Sequence, residues 1–259
     1  MLVYFHKYHG TGNDFIIIDN RHREFDYSKK SLINHLCNRR FGIGADGLMV
    51  LMEHPELDFE MKYFNSDGQE GSMCGNGGRC IADFAKKLGL INDVTEFQAI
   101  DGVHQAIVLR DAVKLKMQNV SGIEQGNHYY FLDTGSPHYV TFRENIEETD
   151  VFEEGRKIRF NTRFRKKGIN VNFVKVLEDK IQVRTYERGV ENETLSCGTG
   201  VVASAICSTL ESKTDKSSII VLTRGGKLKV CFDKINNNSF ENIWLQGPVR
   251  HVFEGKIEI

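Results

Sequence analysis

Two cysteines of this chain lie in the same local pattern. Cys74 stands within Glu70–Gly77 and Cys197 within Glu193–Gly200, and both segments read E-x-x-x-C-G-x-G. Glycine lowers the stability of a helix, so two glycines near a helix start are expected where a ligand must approach the backbone closely. The unpaired N–H groups and partial positive charge of a helix start favour both a thiolate and a bound carboxylate.

The paired thiols suit inversion of configuration at the α-carbon of an amino acid. With one thiol on each side of that carbon, one thiolate removes the proton and the opposite thiol returns a proton to the other face. The carbanion resembles an enediolate of the carboxylate, which backbone N–H groups of both helix starts can stabilise. We therefore predict that Cys74 and Cys197 are the catalytic acid and base. If either motif stood alone, its cysteine could equally be an ordinary small buried residue. We interpret Cys37, Cys207 and Cys231, which lie outside the motif, in that way.

An internal repeat sets the expected architecture. Three pairs of segments match in the same order: the cysteine motifs at an offset of 197 − 74 = 123, Thr11–Asn13 with Thr134–Ser136 at 134 − 11 = 123, and Gly42–Leu51 with Gly168–Leu177 at 126. Matches at nearly one offset indicate a duplicated unit. We predict two lobes, one of residues 1–119 completed by a C-terminal strand at 250–259, and one of residues 120–249.

The elements around the cysteines predict α/β (α+β) lobes. A helix is expected after each C-G-x-G, because Ile81, Phe84, Ala85 and Leu88 are spaced i, i+3, i+4, i+7 and Val201–Leu210 is apolar nearly all round. Strands are predicted at Phe15–Ile18, Val171–Leu177 and Ile181–Tyr186, and a hairpin at Ile219–Leu222 with Leu228–Phe232. The fold expected is two pseudo-symmetric lobes, each a curved mixed sheet around a central helix.

Composition narrows the function classes. The 259 residues carry 34 basic and 35 acidic side chains, a net charge of 34 − 35 = −1, so no broad basic surface for nucleic acid or an anionic membrane is expected. No apolar run approaches the roughly 20 residues that span a bilayer. The sequence contains no C-x-x-C pair, so a zinc ribbon is not expected. We predict a cytoplasmic enzyme with reduced thiols and no metal.

The motifs together resemble the diaminopimelate epimerase family along the whole chain. The segments that carry the resemblance are His9–Phe15, Phe41–Gly47, Phe64–Gly68, Met73–Gly77, Arg184–Gly189 and Cys197–Gly200. The resemblance implies a two-lobed fold and interconversion of LL- and meso-diaminopimelate without pyridoxal phosphate or any other cofactor. That step belongs to lysine and peptidoglycan precursor synthesis, and a homodimer is expected by the same analogy.

The resemblance also implies roles for individual residues. Cys74 and Cys197 match the catalytic pair, and Glu187 and Arg188 match an acidic–basic pair at the substrate. His138 and Glu187 match residues that tune the thiols. The other positions match substrate-binding residues: Asn13, Asn65 and Asn170, the helix-start donors Gly75, Asn76, Gly198 and Thr199, and Gly47 and Ser136. Many members have asparagine where Ser136 stands and some have glutamine where Gly47 stands, which bears on how the substrate is held.

Three alternatives compete with this interpretation. A racemase of proline, hydroxyproline or histidine could use the same scaffold, but proline-racemase relatives usually have histidine at the position of Asn76. Arg188 also suits a second substrate carboxylate. A redox protein with a switching disulfide would leave Asn13, Asn65 and Asn170 without a role. An amino-acid binding module would leave the paired thiols unexplained.

Overall fold

The computed structural model of the chain describes residues 2–211 and 216–259. The chain divides into two compact units. The N-terminal unit comprises Met1–Leu115 and Gly247–Ile259, and the C-terminal unit comprises Lys116–Gln246. These boundaries lie 119 − 115 = 4 and 249 − 246 = 3 residues before those drawn from the sequence.

The N-terminal unit is a mixed sheet with two helices. Its strands are β1 (Leu2–Gly10), β2 (Asn13–Asp19), β3 (Gly47–Met52), β4 (Phe59–Asn65), β5 (Val94–Ala99), β6 (Gly102–Val108), β7 (Val113–Lys116) and the last strand of the chain, β18 (Arg250–Glu258). Their order across the sheet is β18-β1-β2-β3-β4-β5-β6-β7. Helix α1 (Lys30–Cys37) connects β2 to β3, and helix α2 (Gly75–Lys87) connects β4 to β5.

The C-terminal unit repeats this plan. Its strands are β8 (Val120–Ser121), β9 (Glu124–Gly126), β10 (Tyr129–Asp133), β11 (Pro137–Phe142), β12 (Asn170–Val176), β13 (Lys180–Glu187), β14 (Asn192–Thr194), β15 (Ser218–Thr223), β16 (Gly226–Asn236) and β17 (Ser239–Gly247). The order is β9-β10-β11-β12-β13-β15-β16-β17-β8, with β14 also paired to β13. Its helices are a 3-10 turn at Ile146–Glu148, α3 (Val151–Arg159) and α4 (Gly198–Glu211).

The pairing directions confirm the internal repeat. From β1 to β6 successive neighbours are antiparallel, parallel, antiparallel, parallel and antiparallel. The series β10, β11, β12, β13, β15 and β16 has the same directions in the same order. The helices also fall in corresponding connections, α1 with α3 and α2 with α4. The predicted fold class is therefore confirmed.

The helix that follows each cysteine motif is the buried element of its unit. Helix α2 packs against β1, β2, β3 and β6, and α4 packs against β10 to β13, β15 and β16. Every residue from Gly200 to Thr209 is buried, as expected for a helix that is apolar nearly all round. Helix α2 ends at Lys87, and Gly89 follows in the left-handed conformation (φ 71°) that glycine tolerates. None of the described helices is long and apolar enough to cross a membrane.

Candidate active site

Cys74 stands immediately before the first turn of α2. It has extended backbone (φ −92°, ψ 130°) and is half-buried, whereas Gly75 to Gly78 are all buried. The glycines allow this packing, because a methyl group on Gly78 would lie 2.9 Å from the sulfur of Met73. The thiol thus lies at the positive end of the helix dipole with backbone N–H groups beside it.

An amide network holds the Cys74 thiol. The thiol donates to Oδ1 of Asn13 over 3.5 Å, and Nδ2 of Asn76 donates to the same oxygen over 3.2 Å. The orientation of the Asn13 amide is fixed because its Nδ2 donates to Asp46 (2.8 Å). Three of the predicted site residues, Asn13, Cys74 and Asn76, therefore lie in direct contact.

Ion pairs support this network from outside. Arg39 bridges the carboxylates of Asp14 and Asp46 (2.6 and 2.8 Å), and Lys7 pairs with Asp14 (2.6 Å). Burial alone would raise the pKa of Asp14, but the hydrogen bonds from Arg39 and Lys7 hold it well below its usual range. Asp46 is therefore held by Arg39 while it accepts from Asn13, so the orientation of Asn13 is built into the unit.

Arg79 is a site residue that the sequence reasoning missed. Its side chain is fully buried on α2, donating to Oδ1 of Asn76 (2.9 Å) and to the carbonyl of Gly75 (3.1 Å). Among the described residues no carboxylate pairs with it. Burial lowers the pKa of the guanidinium, and the charges of Cys80 and Cys74 oppose that shift. A buried cation thus favours the thiolate form of Cys74. No distinct signal for Arg79 was present in the sequence, because Asp83, Lys86 and Lys87 of the same helix are charged as well.

Asn65 and Gly47 form a second group in the same unit. They are directly opposite each other on β3 and β4. Tyr63, another residue that the sequence reasoning missed, donates its hydroxyl to Oδ1 of Asn65 (3.1 Å). A methyl group on Gly47 would lie 2.6 Å from the Tyr63 ring, so the tyrosine occupies the space that a side chain at position 47 would need.

Cys197 has the corresponding position before α4. It is 7 % exposed, and its sulfur lies 3.6 Å from Oγ1 of Thr199. The carbonyl of Thr199 accepts from the hydroxyl of Thr134 (2.9 Å), which belongs to the turn between β10 and β11. Thr11 has the same place in the N-terminal unit, where its hydroxyl donates to Oδ1 of Asn76 (3.4 Å). Each thiol-bearing helix start is thus anchored by the threonine of the matching turn.

Ser136, Asn170 and Arg188 meet at one point of the C-terminal unit. Nδ2 of Asn170 donates to the Ser136 hydroxyl (2.9 Å), and Oδ1 of Asn170 accepts from the backbone N–H of Arg188 (2.9 Å). The Arg188 guanidinium donates to the Ser136 hydroxyl (3.2 Å) and to the carbonyl of Lys167 (3.1 Å). No carboxylate of the described residues forms an ion pair with this guanidinium, so its N–H groups can donate to the carboxylate of a ligand. Glu187, next along β13, accepts from the Thr194 hydroxyl (2.8 Å).

His138 is fully buried and neutral. Burial and the charge of Arg188 lower its pKa to about 3. Its Nδ1 accepts from Nδ2 of Asn172 (3.1 Å), an amide oriented by the Thr185 hydroxyl, which donates to its Oδ1 (2.9 Å). The proton of the imidazole therefore lies on Nε2, and that nitrogen has no hydrogen-bond partner in the described parts of the chain. Asn172, which the sequence reasoning also missed, positions the ring as a buried donor.

The fold defined by these two units is shared with solved structures of low sequence identity. A Bacillus anthracis phenazine biosynthesis protein of the PhzF family matches 100 % of both chains with a TM-score of 0.79 at 13 % identity. A hydroxyproline epimerase from Agrobacterium vitis matches 99 % of this chain and 92 % of its own with a TM-score of 0.73 at 12 % identity. The class is therefore the two-unit epimerase and PhzF-type fold.

Sequence comparison gives the particular family. The diaminopimelate epimerase family model matches residues 5–120 and 130–252. A diaminopimelate epimerase of Flavobacterium psychrophilum is 50 % identical over 254 residues, which cover 97 % of this chain and 99 % of that protein. One of Aquifex aeolicus is 40 % identical, over 98 % and 97 % of the two chains. This chain belongs to the diaminopimelate epimerase family.

Proposed function

We propose that this protein interconverts LL- and meso-2,6-diaminopimelate by a two-base mechanism. The observation that carries the proposal is the repeated site: each unit presents a thiol at the glycine-containing start of its most buried helix. Family membership supplies the substrate, since the relatives that cover nearly the whole chain are diaminopimelate epimerases. No cofactor is required, because the two thiols supply both the base and the acid.

The mechanism assigns one proton transfer to each thiol. The thiolate of one cysteine takes the α-proton, and the thiol of the other gives its proton to the opposite face of the same carbon. After the reaction the first sulfur carries a proton and the second is a thiolate, so the roles are exchanged and the enzyme is set for the reverse reaction. The backbone N–H groups of Gly75, Asn76, Gly198 and Thr199 stabilise the enediolate charge between the two steps.

The ground-state charges favour this chemistry. Arg79 stabilises the Cys74 thiolate by its buried charge. Neutral His138 cannot act through charge, and it serves as a hydrogen-bond donor through Nε2–H, to the Cys197 thiolate or to the substrate. Glu187 is the acceptor for the substrate ammonium group. Arg79 thus acts through its charge, His138 through a hydrogen bond and Glu187 through binding of the substrate.

The distal end of the substrate is held by the group around Arg188. A guanidinium binds a carboxylate through paired hydrogen bonds, and the Ser136 hydroxyl and the Asn170 amide add further polar contacts. Asn65, whose Oδ1 accepts from the Tyr63 hydroxyl, is the corresponding substrate-binding residue of the N-terminal unit. A racemase of proline or histidine would have only one carboxylate to offer and would leave Arg188 without a ligand.

The protein is further proposed to be a cytoplasmic homodimer. Apolar side chains of the first and last strands are exposed in the single chain, with Tyr4 66 % and Val252 54 % exposed. Exposed apolar groups on neighbouring strands are typical of a surface that a second subunit covers.

The test is turnover of four amino acids by the unchanged protein and three variants. Polarimetry or chiral chromatography measures the turnover. We expect epimerisation of LL-diaminopimelate and no racemisation of proline, trans-4-hydroxyproline or histidine. Cys74→Ala and Cys197→Ala should each lose activity by about 10²–10⁴-fold or more, because each removes one acid–base partner. Cys231→Ala is the matched control, since that half-buried thiol lies outside the site. Racemisation of proline, or a loss of only a fewfold in either site variant, would contradict the proposal.

A further inference from the structure

Three potential metal ligands converge on one face of β1 and β18, and none of them belongs to the epimerase site. Nδ1 of His6 lies 3.4 Å from Nε2 of His251 and 3.3 Å from Oε2 of Glu254. The third separation, from Nε2 of His251 to Oε2 of Glu254, is 3.7 Å. The two strands are antiparallel neighbours, and His6 and Glu254 are directly opposite each other.

A β-bulge brings the third ligand to this face. His251 and Glu254 are three residues apart, so in a regular strand their side chains would point to opposite faces of the sheet. The pairing shifts between Lys7, which is opposite Phe253, and Tyr8, which is opposite His251, so Val252 is an extra residue. Bulges re-aim side chains in this way and occur often beside binding sites. The convergence of the three groups thus depends on this local irregularity.

We propose that His6, His251 and Glu254 bind a divalent transition-metal ion, with Zn²⁺ the best match. Metal–ligand bonds of about 2.0–2.1 Å in a tetrahedron place the ligand atoms about 3.3 Å apart. The separations of 3.3, 3.4 and 3.7 Å fit that geometry without rearrangement of the backbone. Two imidazole nitrogens and one carboxylate oxygen are a common zinc ligand set, which leaves the fourth position to water.

Lys87 is the competing cation at this cluster. Its ammonium lies 3.0 Å from Oε2 of Glu254 and 3.2 Å from Nδ1 of His251. Lys87 is the last residue of α2 and its side chain is 41 % exposed, so the ammonium can swing into solvent when a metal ion takes its place. The bound ion would link the first and last strands of the chain and stabilise the N-terminal unit against unfolding.

The test is calorimetric titration of the full chain with Zn²⁺. The chain carries Cys74→Ala and Cys197→Ala, so that the catalytic thiols cannot bind the ion. We expect one Zn²⁺ per chain, with affinity reduced by about 10–100-fold or more in His6→Gln and in Glu254→Gln, because changes even outside a metal's own ligands cost that much. Lys87→Gln should tighten binding. Glu254 is exposed (60 %), so its substitution cannot be explained away by misfolding.

Two matched controls complete the experiment. His104→Gln removes a histidine that pairs with Asp101 (3.1 Å), and Lys86→Gln removes the neighbouring lysine, which pairs with Asp93 (2.6 Å). Neither should change the affinity for Zn²⁺. The proposal is overturned if the chain binds no Zn²⁺, or if binding is the same in His6→Gln and Glu254→Gln as in the controls. Epimerase activity, measured with both cysteines restored, should persist in His6→Gln, which separates this outcome from that of the proposed function.

Discussion

A methyl group added at Gly200 would meet the side chain of Asn172. The new Cβ would lie 2.4 Å from Oδ1 of Asn172, well inside van der Waals contact. That oxygen accepts from the Thr185 hydroxyl (2.9 Å), and Nδ2 of the same amide donates to His138 and to the carbonyl of Tyr139 (both 3.1 Å). Gly200→Ala therefore has to displace an amide that binds three polar groups, two of them through buried hydrogen bonds.

These contacts set the loss in the free energy of unfolding that is expected for Gly200→Ala. Each buried polar group left unpaired costs about 1–3 kcal/mol, and displacement of Asn172 affects at least two of them. Alanine gains back up to about 1 kcal/mol over glycine within a helix. The net destabilisation is therefore about 1–5 kcal/mol, which lowers the Tm by on the order of 10 °C in a unit of this size. Activity should fall as well, because His138 loses its orienting partner and the start of α4 shifts beside Cys197.

Gly77→Ala is the matched control, since Gly77 has the same place in the first C-G-x-G motif. There the nearest atom to the new Cβ is the sulfur of Met49 at 3.1 Å, followed by Phe15 at 3.6 Å. A methionine side chain adapts readily, so little stability should be lost. Thermal unfolding followed by circular dichroism, with epimerase assays on both variants, makes the comparison. Equal Tm values for Gly200→Ala and Gly77→Ala would refute the reasoning.

Three further predictions concern the origin of the product's α-hydrogen, the reactivity of Cys74 and the protonation of His138. In deuterated water the meso product should carry solvent deuterium at its inverted carbon from the first turnover, whereas unreacted LL-substrate should carry little; mass spectrometry at low conversion that finds the original hydrogen in the product would exclude two separate bases. Arg79→Met should slow alkylation of Cys74 by iodoacetamide at pH 7, because the thiolate loses its neighbouring cation, while Arg79→Lys should preserve most of the rate; equal rates in both variants would contradict a role for charge. An unfolded histidine titrates near pH 6.5 and folded His138 near 3, so the unfolded chain binds more protons between these values and stability is lost as pH falls through that range. Urea unfolding at pH 7 and pH 5 measures this effect: relative to His138→Gln, the free energy of unfolding of the unchanged protein should fall by up to about 1.4 kcal/mol for each pH unit below 6.5. An equal fall in both proteins would show that the ring is not held neutral.

The sequence by itself determined the repeat and the helix after each cysteine, and it led to the hypothesis that the two thiols are the acid and the base. These features are local: a C-G-x-G segment, an apolar run and a glycine each act through a few consecutive residues. The strands at Phe15–Ile18 and Ile181–Tyr186 and the hairpin of β15 and β16 were predictable for the same reason, and each lies within an observed strand. Equal offsets along the chain then sufficed to predict two similar units.

The tertiary structure decided which side chains meet. In the sequence, Arg79 is one of several charged residues of a helix. In the structure it is fully buried beside Asn76, with no carboxylate partner among the described residues. Asn172 and His138 are 34 residues apart, and they meet because β11 and β12 pair in parallel. Tyr63 fills the space beside Gly47 because of the register of β3 and β4. The contacts of Asn172, His138 and Tyr63 depend on strand order and register, and a shift of one residue along a strand would turn these side chains to the other face of the sheet. Single-residue bulges such as that at Val252 have the same kind of effect.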